Sequence, residues 1–381
     1  MAGSILRKIS KAAVEVPIEI YRLIGGKYPS FVTEFRVKPT LEEVPVFMYH
    51  SVEAASFGDQ LQYLADNGYK TLTLTEFFAF LKGELELDAP SALLTFDDGD
   101  RSWYDVAMPL LQKYEFNAVG FLVPHYIEKA NPEDANRAWL TWEEILELQE
   151  RGVFEFESHT LAHDRIFTSG KLKGFFHPGF VENPLGADTP WTGLGEAYTN
   201  DLALGTPVFE HCSRFYGKLR YFENEAVTEA CTKFVAENGG VSFFESKDWK
   251  PKLKKVFFSA RSELKGGKYE SEAEQKLAIC NSLISSKELL EKKLGRPIRH
   301  LCYPFGQGSE LAVELSKQAG YESNFWVAPG NRDINRKLDD PFYIPRLKDD
   351  YVFRLPGRGR VSLLSIFLRK LKRRATKVNI Y

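Results

Sequence analysis

Apolar and polar positions group into short alternating blocks along most of the chain. VPVFMYH, residues 44 to 50, is a short apolar run closing on polar atoms, the pattern of a buried strand. A helix at about 57–67, a strand YKTLTL and a helix TEFFAFLKG follow it. SALLTFDD reads as a strand that ends in two carboxylates, Asp97 and Asp98. SWYDVAMPLLQKY reads as a helix and NAVGFLV as the next strand. In TWEEILELQERG, Thr141 is a good N-cap, Glu144 completes a capping box, and Gly152 ends the helix. The strand VFEFES then runs into HTLAH.

From about 170 to 270 the alternation lapses into Gly, Pro and aromatic residues, as in GFFHPGFVENPLGADTPWTGLG, which predicts an insertion. The pattern resumes with a long helix, SEAEQKLAICNSLISSKELLEKKLG, and the strand IRHLCYP. The helix ELAVELSKQAG, the strand ESNFWV and a last strand near FYIPR complete it. Strands alternating with helices predict a parallel sheet with helices outside it. Seven or eight such units predict an α/β fold, a distorted or incomplete (β/α) barrel over 41–350 interrupted at 170–270. In that architecture chemistry sits at the C-terminal ends of strands. His50, Asp97, Asp98, His159 and Tyr303 all fall at such ends.

Both chain ends have a different texture. Residues 4 to 24, within an N-terminal segment 1–40, read as a basic amphipathic helix with Ile5, Ile9, Ala12 and Val16 on one face. The tail 351–381 carries nine Lys or Arg and no Asp or Glu, and places Leu364, Phe367, Leu368 and Leu371 on one helical face. Such helices suit the surface of an anionic membrane. The alternative is packing on the barrel with a solvated basic face.

Composition narrows the class. The 381 residues are 44% hydrophobic and 27% charged, as in an ordinary globular protein, and the net charge of −2 provides no field for nucleic acid. Cys212, Cys231, Cys280 and Cys302 form no C-x-x-C pair, so reduced core thiols are expected. Charged residues interrupt the N-terminal apolar stretch, which therefore does not read as a signal peptide, and no run reaches transmembrane length. A cytoplasmic protein, peripheral at the inner face of the membrane, is the expectation.

The candidate chemistry centres on HTLAH and TFDDG. His159 and His163 are four apart, so a helical turn would bring both imidazoles to one ion. The pair lacks the Glu of H-E-x-x-H, which disfavours a zincin protease. Asp97 and Asp98 project to opposite sides of a strand end, so one can bind metal while the other faces a reacting water. The competing reading is turn chemistry, which Asp-Asp-Gly also suits. Two histidines and a carboxylate are a plausible set for Zn2+ or another divalent transition metal, with a free carboxylate as base. That combination is suited to amide or ester hydrolysis.

TFDDG at 95–99, HTLAH at 159–163 and YPFG at 303–306 together resemble the motifs of the NodB-type polysaccharide deacetylases, over roughly 44–165 and 272–347. The resemblance implies Asp97 as catalytic base and Asp98, His159 and His163 as metal ligands. It implies that Tyr303, Pro304, Phe305 and Gly306 line the substrate groove, where an amide can help hold an oxyanion. The sequence departs from many members, with Cys302 where an Arg often tethers the base and no late Leu-x-His. It resembles more the branch that deacetylates poly-N-acetylglucosamine, with an early Tyr-His like Tyr49–His50 and a late Pro-Arg like Pro345–Arg346. That implies His50 as acid and Arg346 as tether of Asp97.

An N-deacetylase of an amino sugar in a glycan or lipid-linked saccharide is therefore expected. An O-deacetylase, a non-sugar amidase and an inactive membrane-associated carbohydrate-binding protein are the alternatives. In the insertion, Trp191, Tyr198, Phe209, Phe215 and Tyr216 are candidates to stack on sugars, or else form a satellite hydrophobic cluster. Asp201, His211 and Arg214 are candidates for specificity.

Overall fold

The structure, a computed structural model, describes residues 28–181, 202–264, 266–327 and 332–376. The N-terminal helix expected over 4–24, and Trp191, Tyr198 and Asp201, lie outside the described residues. The chain divides into two compact units, and it passes from the first to the second in the turn after the strand Phe154–Ser158.

The first unit is the expected α/β barrel. Its parallel strands are β1 (Val46–Tyr49), β2 (Ser91–Asp98), β3 (Ala118–Leu122) and β4 (Phe154–Ser158), then β5 (His300–Cys302), β6 (Ser323–Trp326), β7 (Ile344–Pro345) and β8 (Leu347–Lys348). They follow one another around the sheet as β7-β6-β5-β4-β3-β2-β1-β8. The two ends of that path are consecutive in the chain, separated only by Arg346. Ile344 and Pro345 pair with Phe325 and Trp326, and Leu347 and Lys348 pair with Phe47 and Met48. One extended stretch thus serves both edges, and the sheet nearly closes on itself with Arg346 at the seam.

All eight residues of β2 are buried, as expected of a parallel strand covered on both faces. Val46, Leu93, Val119, Phe121, Cys302, Phe325 and Ile344 join the core cluster with Phe77 and Phe80. Helices α1 (Ala54–Asp66), α2 (Leu74–Leu81), α3 (Met108–Tyr114) and α4 (Trp142–Glu150) follow strands in the first half. The capping boxes are present at Thr73–Glu76 and Thr141–Glu144, each satisfying two backbone donors that the helix start would leave bare. The expected strand YKTLTL is cut short at Lys70–Thr71, because the Thr73 cap starts α2 at Leu74. α3 is preceded by a π-wound turn, Trp103–Ala107, with Pro109 near the start of the α-helical part.

The second unit holds more regular structure than its Gly, Pro and aromatic content suggests. Arg165–Phe175 and Pro207–Ser213 form an antiparallel pair, and Tyr221–Phe222 pairs with Lys268–Tyr269. Two helices, Glu225–Glu237 and Trp249–Leu264, belong to it. Val227, Cys231 and Val235 are buried at helical spacing on the first of these, Leu253 and Phe257 on the second. They share a core with Phe167, Phe175, Val208, Phe209, Tyr221 and Phe243. The unit therefore has a hydrophobic core of its own. Phe209 and Phe215 are buried and unsuited to stack on a sugar, whereas Tyr216 is 47% exposed.

The C-terminal helix, Leu363–Thr376, leaves Leu364 and Leu368 exposed and buries Ile366. Among the described residues no helix is long and apolar enough to cross a membrane.

Candidate active site

The C-terminal end of β2 bends sharply. Asp98 has φ 86° and Gly99 φ 93°, both in the left-handed region. For Asp98 this is strain, of the kind that clusters at functional sites. At Gly99 the left-handed φ is what favours glycine, and a Cβ there would also press on Ile127 Cδ1 at 2.7 Å. The two successive carboxylates at this bend, Asp97 and Asp98, are both buried.

Arg346, at the sheet's seam, meets Asp97 with both forks of its guanidinium. Nη1 donates to Oδ1 and Nη2 to Oδ2, each at 2.7 Å, and Nη1 also donates to Thr95 Oγ1. Burial alone would raise the Asp97 pKa. Arg346, and then His159, outweigh it and hold the carboxyl well below the usual carboxylate range. Cys302 Sγ lies 3.8 and 3.9 Å from the two Asp97 oxygens, a thiol in the place where the resemblance led to an arginine. Arg346 supplies the charge at Asp97 from the seam of the sheet.

His159 follows β4 directly. Its N–H donates to Leu122 O, and its Nδ1 lies 2.9 Å from the carbonyl of Cys302, which fits an Nδ1–H tautomer. That leaves Nε2 facing the carboxylates, 3.5 Å from Asp98 Oδ1 and 3.9 Å from Asp97 Oδ2. A carbonyl partner on the far nitrogen is the usual way a ligating histidine is oriented. The role of the Cys302 carbonyl was not legible as a motif, although Cys302 immediately precedes YPFG.

The turn 159–163 carries positive φ at Thr160 (66°) and His163 (57°). One ligand atom each from Asp98, His159 and His163 lie within 4.8 Å of one another, and all three residues are buried. Asp97, His159 and Cys302 form a second such group. Two imidazole nitrogens and a carboxylate oxygen are the donor set of a divalent transition metal. Burial, and then the neighbouring Asp97 and Asp100, push the Asp98 pKa well above its ordinary value, so a cation beside Asp98 would offset an unfavourable concentration of negative charge. The residues fit the metal that the resemblance implies.

His50, at the end of β1, is partly exposed, and its Nε2 lies 3.9 Å from Asp97 Oδ2. Burial pushes its pKa down to about 4, with Asp97 partly opposing. Its carbonyl accepts from Trp103 Nε1 at 2.7 Å.

Tyr303 to Gly306 leave the end of β5. Tyr303 is fully buried, accepts a hydrogen bond from Asn324 Nδ2 and packs edge-on to Trp326. Its N–H is committed to Phe325 O, Gly306 N–H to Tyr303 O, and Pro304 has none. Phe305 and Gly306 are both left-handed, and a Cβ on Gly306 would lie 2.1 Å from Val327 Cγ2. The segment is thus a tight turn pressed against β6, with Tyr303 packed inward.

Residues 85–173 match the polysaccharide deacetylase family. Over those residues the chain is similar to polysaccharide deacetylases. The domain match spans β2 to β4 and both Asp97–Asp98 and His159–His163. A poly-beta-1,6-N-acetyl-D-glucosamine N-deacetylase of Staphylococcus epidermidis is 37% identical over 115 residues, 30% of this chain and 38% of that protein. The chain thus covers well under half the length of this relative. Two solved structures are similar to this chain in fold. A de-N-acetylase from Aggregatibacter actinomycetemcomitans aligns over 80% of this chain and 94% of its own, with TM-score 0.52 and 20% identity. The BpsB deacetylase domain from Bordetella bronchiseptica covers 82% of this chain and 98% of its own, with TM-score 0.51 and 16% identity.

Proposed function

We propose that this chain is a metal-dependent N-deacetylase that removes acetyl groups from an amino sugar in a glycan or lipid-linked glycan. The observation that carries the proposal is the Asp97 carboxylate. It is held ionised by Arg346 beside a buried donor set of Asp98, His159 and His163, inside a stretch similar to polysaccharide deacetylases.

Asp98, His159 and His163 would hold Zn2+ or another divalent transition metal. When bound, such an ion polarises the acetyl carbonyl and acidifies water. Asp97 accepts the proton of the attacking water. Its low pKa keeps it ionised at any working pH but makes it a weak base, so it depends on water being acidified. Arg346 fixes the angle of the carboxylate. His50 is neutral at pH 7, so it acts as a relay. The proton taken by Asp97 reaches His50, whose Nε2 lies 3.9 Å from Asp97 Oδ2, through one intervening water, and passes from His50 to the departing amine. The turn from Tyr303 to Gly306 shapes the floor of the substrate groove.

The four cysteines are all unpaired thiols, which suits the cytoplasm. The C-terminal helix exposes Leu364 and Leu368 next to a run of Arg and Lys, which supports attachment to an anionic membrane surface. Ile366 is buried and Arg369 lies over the Phe353 ring, so the same helix also packs on its own unit. Flotation with anionic liposomes separates these roles. The full chain should float at low salt, and a form ending at residue 357 should float less.

The test of the function is mass spectrometry of acetate release across N-acetylated and O-acetylated glycans and lipid-linked sugars. Release from N-acetyl sugars, lost in His163→Ala together with metal content, is expected. Release from O-acetyl groups alone would assign an ester substrate instead, and no release from any member would overturn the proposal.

A further inference from the structure

The turn that presents His163 is strained and has little regular structure of its own. Thr160 and His163 both take the left-handed conformation without being glycine. Such a backbone persists only where its surroundings over-determine it. On the side after His163 the surroundings are a buried ionic cluster in the second unit. The chain leaves the turn through Asp164 into the strand Arg165–Phe175, where Arg165 pairs with Ser213. Arg214 N–H donates to the Asp164 carbonyl at 3.0 Å. The Arg214 side chain is buried and forks onto Glu270, Nη1 to Oε1 at 2.6 Å and Nη2 to Oε2 at 2.8 Å. Glu270 Oε1 also accepts from Arg220 N–H at 2.7 Å, and Glu270 N–H donates to Arg220 O. The carboxylate of Asp164 lies in the field of both Arg214 and Arg220. Two guanidinium groups and two carboxyl groups thus cluster inside the unit. Each of the four residues is less than 9% exposed.

We propose that Arg214, locked by Glu270, is a positioning residue that holds the His163 turn in its metal-binding conformation. Arg214 is too enclosed to read a substrate, which was the role open to it from sequence alone. Its backbone grips the residue after His163, while its side chain ties residues 213–220 to Glu270. Without the guanidinium, Glu270 stays buried with one fewer partner and residues 213–220 lose their anchor. The turn then relaxes toward ordinary backbone and carries His163 with it. This rests on the reading of His163 as a metal ligand.

The test is Co2+ affinity measured by competition with a chromophoric chelator, together with the Co2+ d–d absorption band, on the full chain. Outer partners of a ligand are typically worth about 10–100-fold in metal affinity. Arg214→Met should weaken Co2+ binding by that factor and change the band. Arg214→Lys, which keeps the charge and loses the fork, should fall between. The control is Arg261→Met, which removes a comparable set of bonds in the same unit, to Gly170, Tyr221 and Glu223, away from the turn. It should leave Co2+ affinity within about twofold of wild type. If Arg214→Met does not fold, Arg214→Lys and Glu270→Gln carry the comparison. Unchanged affinity in the Arg214 and Glu270 variants, or an equal loss in Arg261→Met, would overturn the proposal. If the wild-type chain itself binds no Co2+, the metal reading falls, a result distinct from either.

Discussion

Two buried arginine–carboxylate forks stand in the two units of this chain, nearly identical in geometry and different in company. Arg346 grips Asp97 at 2.7 and 2.7 Å, and Arg214 grips Glu270 at 2.6 and 2.8 Å. Around Asp97 stand His50, His159 and a thiol, all able to trade protons or bind an ion. Around Glu270 the further donor is a backbone amide, Arg220 N–H, which can do neither. A paired buried carboxylate is thus not by itself a catalytic signal. What separates the two is whether the remaining lone pairs face titratable side chains or fixed peptide groups.

The sharpest way to break this distinction is turnover. Asp97→Asn preserves shape and should keep metal, yet lower kcat by about 10²–10⁴-fold. Glu270→Gln at saturating metal should keep kcat within about tenfold, because its effect is on affinity. Equal losses in kcat would erase the contrast. His50→Ala extends the test along the proton path. It should cost an amide substrate about 10²-fold or more, and an activated aryl acetate, whose leaving group needs no proton, much less. Matching losses on both substrates would make His50 structural.

Arg346→Met comes next. It leaves Asp97 buried without its main counter-charge, which typically costs about 3–5 kcal/mol of stability, readable by urea denaturation. The pH profile should move as well. Arg346 is what opposes burial at Asp97, so without it the carboxyl pKa rises and the acid limb of kcat/KM shifts to higher pH. An unshifted limb would detach Arg346 from the base.

A third buried carboxylate, Glu157 in β4, resembles Glu270 more than Asp97. It accepts from the backbone N–H groups of Arg299 and His300 and from Arg296. Burial nonetheless raises its pKa from 4.5 to about 7. A folded-state pKa above the unfolded one means the native state holds the extra proton. Its stabilising contribution is therefore full below 4.5 and is lost as pH rises through about 7. The difference is on the order of 3 kcal/mol. Denaturation of wild type against Glu157→Gln at pH 5 and pH 8 should show the slope in wild type and a flatter response in the variant. The smallest effect expected is that of Tyr216→Ala. It removes a half-exposed ring and should change thermal stability by less than about 0.5 kcal/mol.

Much of this was legible along the chain, for a reason visible in the elements themselves. The capping box at Thr141 and the apolar strand closing on Asp97 and Asp98 are interactions within a few residues. So is the four-residue spacing of His159 and His163. The equally local box at Thr73 was hidden by the strand-like pattern of YKTLTL. The helices of the second unit were equally written in the spacing of Val227, Cys231 and Val235, but glycines and aromatics around them obscured it. The Arg346–Asp97 pair spans 249 positions, and only resemblance to a family pointed to it. The Arg214–Glu270 pair spans 56 and carried no signal at all.

The sequence by itself determined the alternation of strands and helices, the cap at Thr141, and the carboxylates and histidines that follow strand ends, because each is set by neighbours within one or two turns. Tertiary structure alone decided which buried carboxylate meets which arginine. β7 and β8 bracket Arg346 at the seam of the sheet and bring it to β2, and the fold of the second unit encloses Glu270 with Arg214 and Arg220. Charge pairing acts through space in a low-dielectric interior, and no local pattern specifies which distant groups that interior will enclose.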